Sequence, residues 1–249
     1  NAWGTVQPPN PALVFLTQVA PYTDWTDFDA GYSQVVALRS NHSVWGFGLG
    51  TNGCLASGSD AGYAVPTQIL TTTDWNQIVT GNGSSCFKKM NGTIWGVGAN
   101  NVGQLGQGFV SVSPQSIFTI TQIGSSNDWQ SLEFSGNGVL MALKTNGTLW
   151  TCGANNHGQL GLGDTQNRSL LTQVGTANNW AKVRGGSYHT IALDQTGSLW
   201  SWGQNQFGQL GLGDTTNRLV PTPVGTPCTM GIPQQKKALF QLIENPVKD

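Results

Sequence analysis

Asn146-Gly147-Thr148-Leu149-Trp150-Thr151-Cys152-Gly153 is the stretch from which the rest of the chain can be read. It returns as Asn91-Gly92-Thr93-Ile94-Trp95-Gly96-Val97-Gly98 and as Thr196-Gly197-Ser198-Leu199-Trp200-Ser201-Trp202-Gly203. Asn-Gly between two apolar runs signals a β-hairpin, and it suits a type I′ turn, which needs positive φ at both central residues. Ahead of the turn, Val36 with Leu38, Met141 with Leu143 and Ile191 with Leu193 share one face. Behind it, Trp150 with Cys152 and Trp200 with Trp202 do the same. That period of two belongs to strands.

Working outward, tryptophan marks a longer repeat. Trp25, Trp75, Trp129 and Trp180 recur at steps of 50, 54 and 51 residues, each preceded by Asp or Asn. Trp45, Trp95, Trp150 and Trp200 trail them by 20, 20, 21 and 20 residues. Gly-Gln-Leu-Gly-x-Gly then follows at Gly103 to Gly108, Gly158 to Gly163 and Gly208 to Gly213, with a degenerate copy at Gly53 to Gly58. Its glycines suit tight turns, and Leu105, Leu160 and Leu210 have the placement of core pegs. Each unit closes on a short strand at Gln68-Ile69, Gln122-Ile123, Gln173-Val174 or Pro223-Val224. A unit of about 50 residues with three or four strands cannot bury its aromatic face alone, so units must stack.

Radial closure into a β-propeller is the usual solution to that stacking. Burying roughly 150–250 Å² per indole at about 25 cal/mol per Å² makes each repeat Trp worth several kcal/mol at most. The fold class is therefore all-β, in one domain. Full repeats cover 23–72, 73–126, 127–177 and 178–226. Residues 1–22, with Trp3-Gly4 and Thr17-Gln18-Val19, form the second half of a split or partial fifth. Residues 227–249 are a tail, in which 237–243 supply a strand that pairs with the N-terminal half-unit to close a small ring. An open ring completed by another chain or by further sequence is the rival arrangement.

Gly185-Gly186-Ser187-Tyr188-His189-Thr190-Ile191-Ala192-Leu193, the Gly-Ser-Leu-Trp-Ser-Trp-Gly strand and Asn205-Gln206-Phe207-Gly208-Gln209-Leu210-Gly211-Leu212-Gly213 resemble repeats of the regulator of chromosome condensation (RCC1) type. The resemblance runs over 23–226 and is strongest in the last two units. It implies a β-propeller, normally of seven blades, whereas this chain carries four whole units.

Composition narrows the function. Only 9% of the 249 residues are charged, 11 basic against 12 acidic, where an ordinary domain has roughly 25%. Nucleic acid is excluded as a partner, because displacing counterions from phosphate needs clustered Lys and Arg. No run reaches the roughly 18 apolar residues of a membrane-spanning helix, so no membrane insertion is expected, and no leader pattern opens the chain. It starts at Asn1 without Met, as a processed product or a section of a longer polypeptide would.

Candidate chemistry is sparse. His42, His157 and His189 occupy three different repeat positions, so neither a catalytic nor a metal site converges. Asp164 with Arg168 and Asp214 with Arg218 are turn-capping acids with an Arg folded over the loop. The acids offer no privileged pair for glycoside hydrolysis, and no Gly-Lys-Ser/Thr marks a phosphate loop. Cys54, Cys86, Cys152 and Cys228 also sit at unrelated positions; Cys86 and Cys152 fall on core faces as packing, and the disulfide state is open. Asn41, Asn82, Asn91, Asn146 and Asn167 head glycosylation sequons that the hairpins explain equally well.

Lys88 breaks the pattern, standing where Leu38, Leu143 and Leu193 stand in the other units. A bulge or a snorkelling stem accounts for it, or else this face meets a binding partner or the ring axis. No cofactor is called for. The expectation is a non-enzymatic structural propeller that binds protein partners, copies of itself or other components of an extracellular or virion assembly such as a phage tail or fibre. The family resemblance implies a nucleotide exchange factor for a small GTPase as one alternative, and a secreted enzyme inhibitor of propeller type is another.

Overall fold

The computed structural model describes residues 18–111 and 116–225. Trp3, the half-unit up to residue 17, Cys228 and the 237–243 segment lie outside the described residues, and with them both ends of the expected ring closure. Among the described residues, sixteen strands form four antiparallel sheets of four, each in sequence order. Blade 1 holds β1 (Trp25–Ala30), β2 (Gln34–Arg39), β3 (Val44–Gly48) and β4 (Tyr63–Leu70). Blade 2 holds β5 (Trp75–Thr80), β6 (Ser84–Lys89), β7 (Ile94–Gly98) and β8 (Ile117–Gln122). Blade 3 holds β9 (Trp129–Ser135), β10 (Val139–Lys144), β11 (Leu149–Gly153) and β12 (Arg168–Gln173). Blade 4 holds β13 (Trp180–Gly185), β14 (His189–Asp194), β15 (Leu199–Gly203) and β16 (Arg218–Pro223).

The strand that each Asp-Trp or Asn-Trp pair opens is the innermost of its blade, since β1 neighbours β5, β5 neighbours β9 and β9 neighbours β13. Three apolar seams separate the four blades. Val36, Leu38 and Val44 of blade 1 meet Trp75, Ile78, Phe87 and Val97 of blade 2. Cys86 and Ile94 meet Leu132, Ala142 and Cys152 in the second seam. Met141, Leu143 and Leu149 meet Val183, Ala192 and Trp202 in the third. Every blade thus has a leading face toward the next blade and a trailing face toward the one before. Alternation along the strand sends Val36 and its equivalents forward and Ala37 and its equivalents back. The pegs Leu105, Leu160 and Leu210 are buried, as is Leu55 in the degenerate copy.

The hairpin turns differ from the expected type I′. Positive φ occurs only at the second residue, Gly92 (81°), Gly147 (79°) and Gly197 (84°), with His42 (63°) in blade 1. The Gly92 N–H donates to the Lys89 carbonyl and the Lys89 N–H to the Thr93 carbonyl. This is a type I turn followed by a left-handed residue. Asn serves another purpose here: its Oδ1 accepts both the backbone N–H and the hydroxyl of Thr93, and likewise of Thr148. The hydroxyl in turn accepts the indole N–H of Trp95 or Trp150. Gly is required at the second position because a Cβ at Gly92 would lie 1.9 Å from the Asn127 carbonyl oxygen.

The paired tryptophans meet edge to face, with ring centroids 6.0, 6.3, 6.2 and 5.7 Å apart in blades 1 to 4. Trp75, Trp129 and Trp180 are buried, whereas Trp25 and the second series, Trp45, Trp95, Trp150 and Trp200, are half-buried. In blades 1 to 3 a cation lies over both rings: Arg39, Lys89 or Lys144. Asp24, Asp74 or Asp128 holds it at 2.8–2.9 Å. Blade 4 inverts this, because Asp194 replaces the cation and accepts the Trp200 indole N–H at 3.1 Å.

Trp202 is fully buried in the third seam and donates its indole N–H to the Gln159 carbonyl at 3.0 Å. Trp202→Ala is expected to cost about 3–5 kcal/mol, and half-buried Trp200→Ala distinctly less. Urea denaturation midpoints measure the two losses. Equal losses would contradict this placement of the load in the seam.

Candidate functional site

An innermost strand is an edge strand, and half of its backbone N–H and C=O groups point toward the axis without a ladder partner. Polar side chains of the preceding blade cap them. The Gln77 carboxamide spans the second seam, donating to the Leu132 carbonyl at 2.9 Å and accepting the Leu132 N–H at 3.0 Å. Asp29 accepts the Thr80 N–H at 2.7 Å. Gln34 donates to the Gly81 carbonyl at 2.7 Å. Glu133 pairs with Arg184 at 2.7 Å across the third seam.

Lys88 belongs to this set. Its ammonium donates at 2.8 Å to the Gln130 carbonyl on the free edge of β9, while its half-buried stem fills the forward position of β6. Burial pulls its pKa below the ordinary lysine value. The geometry gives Lys88 a partner within the seam.

The other sequence candidates are dispersed. His42 Nδ1 lies 2.9 Å from the Trp75 carbonyl. His157 meets Tyr188 edge to face with ring centroids 4.9 Å apart, and burial lowers the pKa of His189. Asp214 accepts the Thr216 N–H and pairs with Arg218 at 2.6 Å, and Asp164 with Arg168 repeats the arrangement. These are loop clamps, and the Arg218 guanidinium holds the Asp214 carboxyl below the usual range. Cys54, Cys86 and Cys152 are free, buried thiols, and burial pushes Cys54 up to about 11. Among the described residues no three His, Cys, Asp or Glu side chains gather into a metal-holding cluster.

What the sequence reading missed lies on one rim. Because each sheet runs up and down in sequence order, the turns after first strands and the loops after third strands share one edge. That edge carries Tyr32 (86% exposed), Phe207 (83%), Tyr188, Phe109, Val110 and Leu49, all exposed. Gly-Gln-Leu-Gly builds the apices. Gln104, Gln159 and Gln209 each use Oε1 to accept the N–H two residues earlier, at Val102, His157 and Phe207. A constant turn therefore displays a variable side chain, and the varying letter just before each Gly-Gln-Leu-Gly was the available signal. Aromatic side chains on rigid turns are the usual anchors of protein interfaces.

The sequence profile of the regulator of chromosome condensation (RCC1) repeat matches residues 41–87, 146–193 and 196–233, together more than half of the chain, and a second profile of that repeat matches 180–209. No curated protein matches the chain by sequence. Similar solved structures include Prp20, the yeast RCC1, in its crystal structure with Kap60, at TM-score 0.74 and 18% identity over 86% of this chain and 51% of that one. Prp20p from Saccharomyces cerevisiae, in a structure described with its binding properties to Gsp1p and histones, gives TM-score 0.74 and 19% identity over 85% and 52%. Human WBSCR16 gives TM-score 0.73 and 19% identity over 85% and 56%. The chain spans about half the length of these structures.

Burial raises the Glu133 carboxyl from 4.5 to about 7, against the pull of Arg184. Folding therefore takes up a proton between those values, and stability falls as pH rises from 4.5 through 7. Glu133→Gln removes this dependence. Between pH 5 and pH 8 the wild type is expected to lose on the order of 1–2 kcal/mol relative to the variant, read from urea unfolding at each pH. Parallel pH profiles would contradict it.

Proposed function

The chain belongs to the regulator of chromosome condensation (RCC1) repeat family, and from that membership we propose that it is a non-enzymatic binding propeller whose aromatic hairpin rim grips a partner protein. The observation that carries this reading is the cluster of Tyr32, Tyr188 and Phe207 exposed along one edge on turns fixed by glycine and glutamine. Tyr and Phe on short turns supply large contact area at little entropic cost.

The roles of the charged groups favour binding over catalysis. Arg39, Lys89, Lys144, Arg168, Arg184 and Arg218 are each engaged in an ion pair, and Lys88 is engaged on a carbonyl. Among the described residues, the same pairing leaves only Lys182 outside an ion pair or a backbone contact, little cationic surface for nucleic acid. The habitat proposed is an assembly outside the cell or on a virion surface. Its support is the 9% charge, which leaves solvation to Asn, Gln, Ser, Thr and backbone groups.

The test compares the wild type with the triple variant Tyr32→Ser/Tyr188→Ser/Phe207→Ser. Each is immobilised and presented with the extracellular and particle fractions of the source, and separately with purified Gsp1p and histones, the proteins with which Prp20p is described. A partner held by the wild type and weakened about a hundredfold in the triple variant, at unchanged thermal midpoint, is the expected result. Equal retention by both, or a partner lost only on substituting Met90 on the opposite rim, would contradict the reading.

A further inference from the structure

The two outer faces of the four-blade stack are built like the faces inside it. On trailing faces Ile78, Leu132 and Val183 are 2%, 2% and 4% exposed, but their blade 1 equivalent, Phe28, is 62% exposed. Beside Phe28 a cavity of about 300 Å³ opens between Val35, Ala37, Phe47 and Pro66 and the 18–22 segment. On leading faces Val36, Cys86 and Met141 are fully buried, but their blade 4 equivalent, Ile191, is 37% exposed. Leu193 and Leu199 beside it are half-buried, where Leu143 and Leu149 are buried.

The polar lining differs at these ends in a complementary way. Inside the stack, acceptors from the leading face reach the free amides of Thr80 and Leu132. At the trailing end, the equivalent amides of Phe28 and Ala30 are already taken by the carboxylates of Asp27 and Asp29, each at 3.0 Å. At the leading end, the positions of Asp27 and Asp29 are occupied by exposed Lys182 and Arg184. A seam joining the two ends would set Lys182 against those carboxylates, Arg184 being held by Glu133. The inner strands run in the order β1, β5, β9, β13, which leaves the matching faces at opposite ends of the described stack.

We propose that a second copy of this chain docks head to tail, the leading face of blade 4 in each copy seated on the trailing face of blade 1 in the other. Two such heterologous contacts close two four-blade arcs into one eight-blade ring. Phe28 fills the place that Ile78 fills in an internal seam, and Ile191 the place of Met141. The ends obey the same packing rule as the seams, with the charge pair at the axis fixing which face joins which. The proposal stands apart from the rim reading, because the dimer faces are sheet faces and the rim is a set of turns.

The test is the solution mass of the 249-residue chain, by light scattering after size exclusion at tens of micromolar. Twice 26.4 kDa is expected. Phe28→Glu and Ile191→Glu each give a monomer with unaltered circular dichroism, because both side chains are exposed within one chain. Mixing the two variants restores a heterodimer through the one intact pair of faces. Lys182→Glu raises the dimer dissociation constant about tenfold at low salt and less at high salt. A monomeric wild type would overturn the proposal, and would point to the chain's own 1–17 and 237–243 segments, or to further blades, as the cover. A dimer that survives Ile191→Glu would overturn it as well.

Discussion

The free edge of the innermost strand is the constraint on which the rest of this structure depends. A four-stranded sheet in an arc must leave one edge facing the axis, and unpaired peptide groups there are costly unless something satisfies them. This chain satisfies them from the neighbouring blade. Gln77 closes both groups of Leu132, Asp29 closes Thr80, and Lys88 closes Gln130. The same hydrogen bonds fix the register of one blade against the next. Apolar seams alone are non-directional. The caps make the stacking specific, and they explain why a lysine is accommodated in a position that is otherwise leucine.

The scarcity of charge takes on a structural meaning once the tryptophan pairs are in view. In three of the four blades, one acid and one base sit at the mouth of the indole pair, the base over both rings and the acid holding it in place. Such a cation gains from the ring faces as well as from the carboxylate. Two further pairs clamp the long loops of blades 3 and 4. Charges are thus few and are placed where a hairpin, a loop or a seam needs them, while the apices of the rim turns display aromatic and uncharged polar side chains.

The repeat, the strands and the seam faces were legible because they follow period two and recur in four copies. Trp75, Trp129 and Trp180 can be placed in the core from the repeat alone, and so can Leu105, Leu160 and Leu210. The caps were not legible, because the side chains that make them are chemically mixed: Asp29, Val79, Glu133 and Arg184 share one repeat position. A position that needs only to reach a backbone group tolerates Asp, Gln or Lys, so no motif forms. The turns were misread for a related reason. Asn-Gly is compatible with two turn types, and the hydroxyl two residues after Asn decides between them by binding its side chain. The rim was hidden because display sites vary by nature, and only their constant supports recur.

Native-state hydrogen exchange at the Leu132 amide tests the central claim most directly, in the wild type and in Gln77→Ala. If side-chain caps hold the blades together, the Leu132 amide loses protection by about tenfold or more in the variant, while ladder amides within β10 and β11 keep theirs. Unchanged protection at Leu132 would show that the cap carries no load, and would contradict the account.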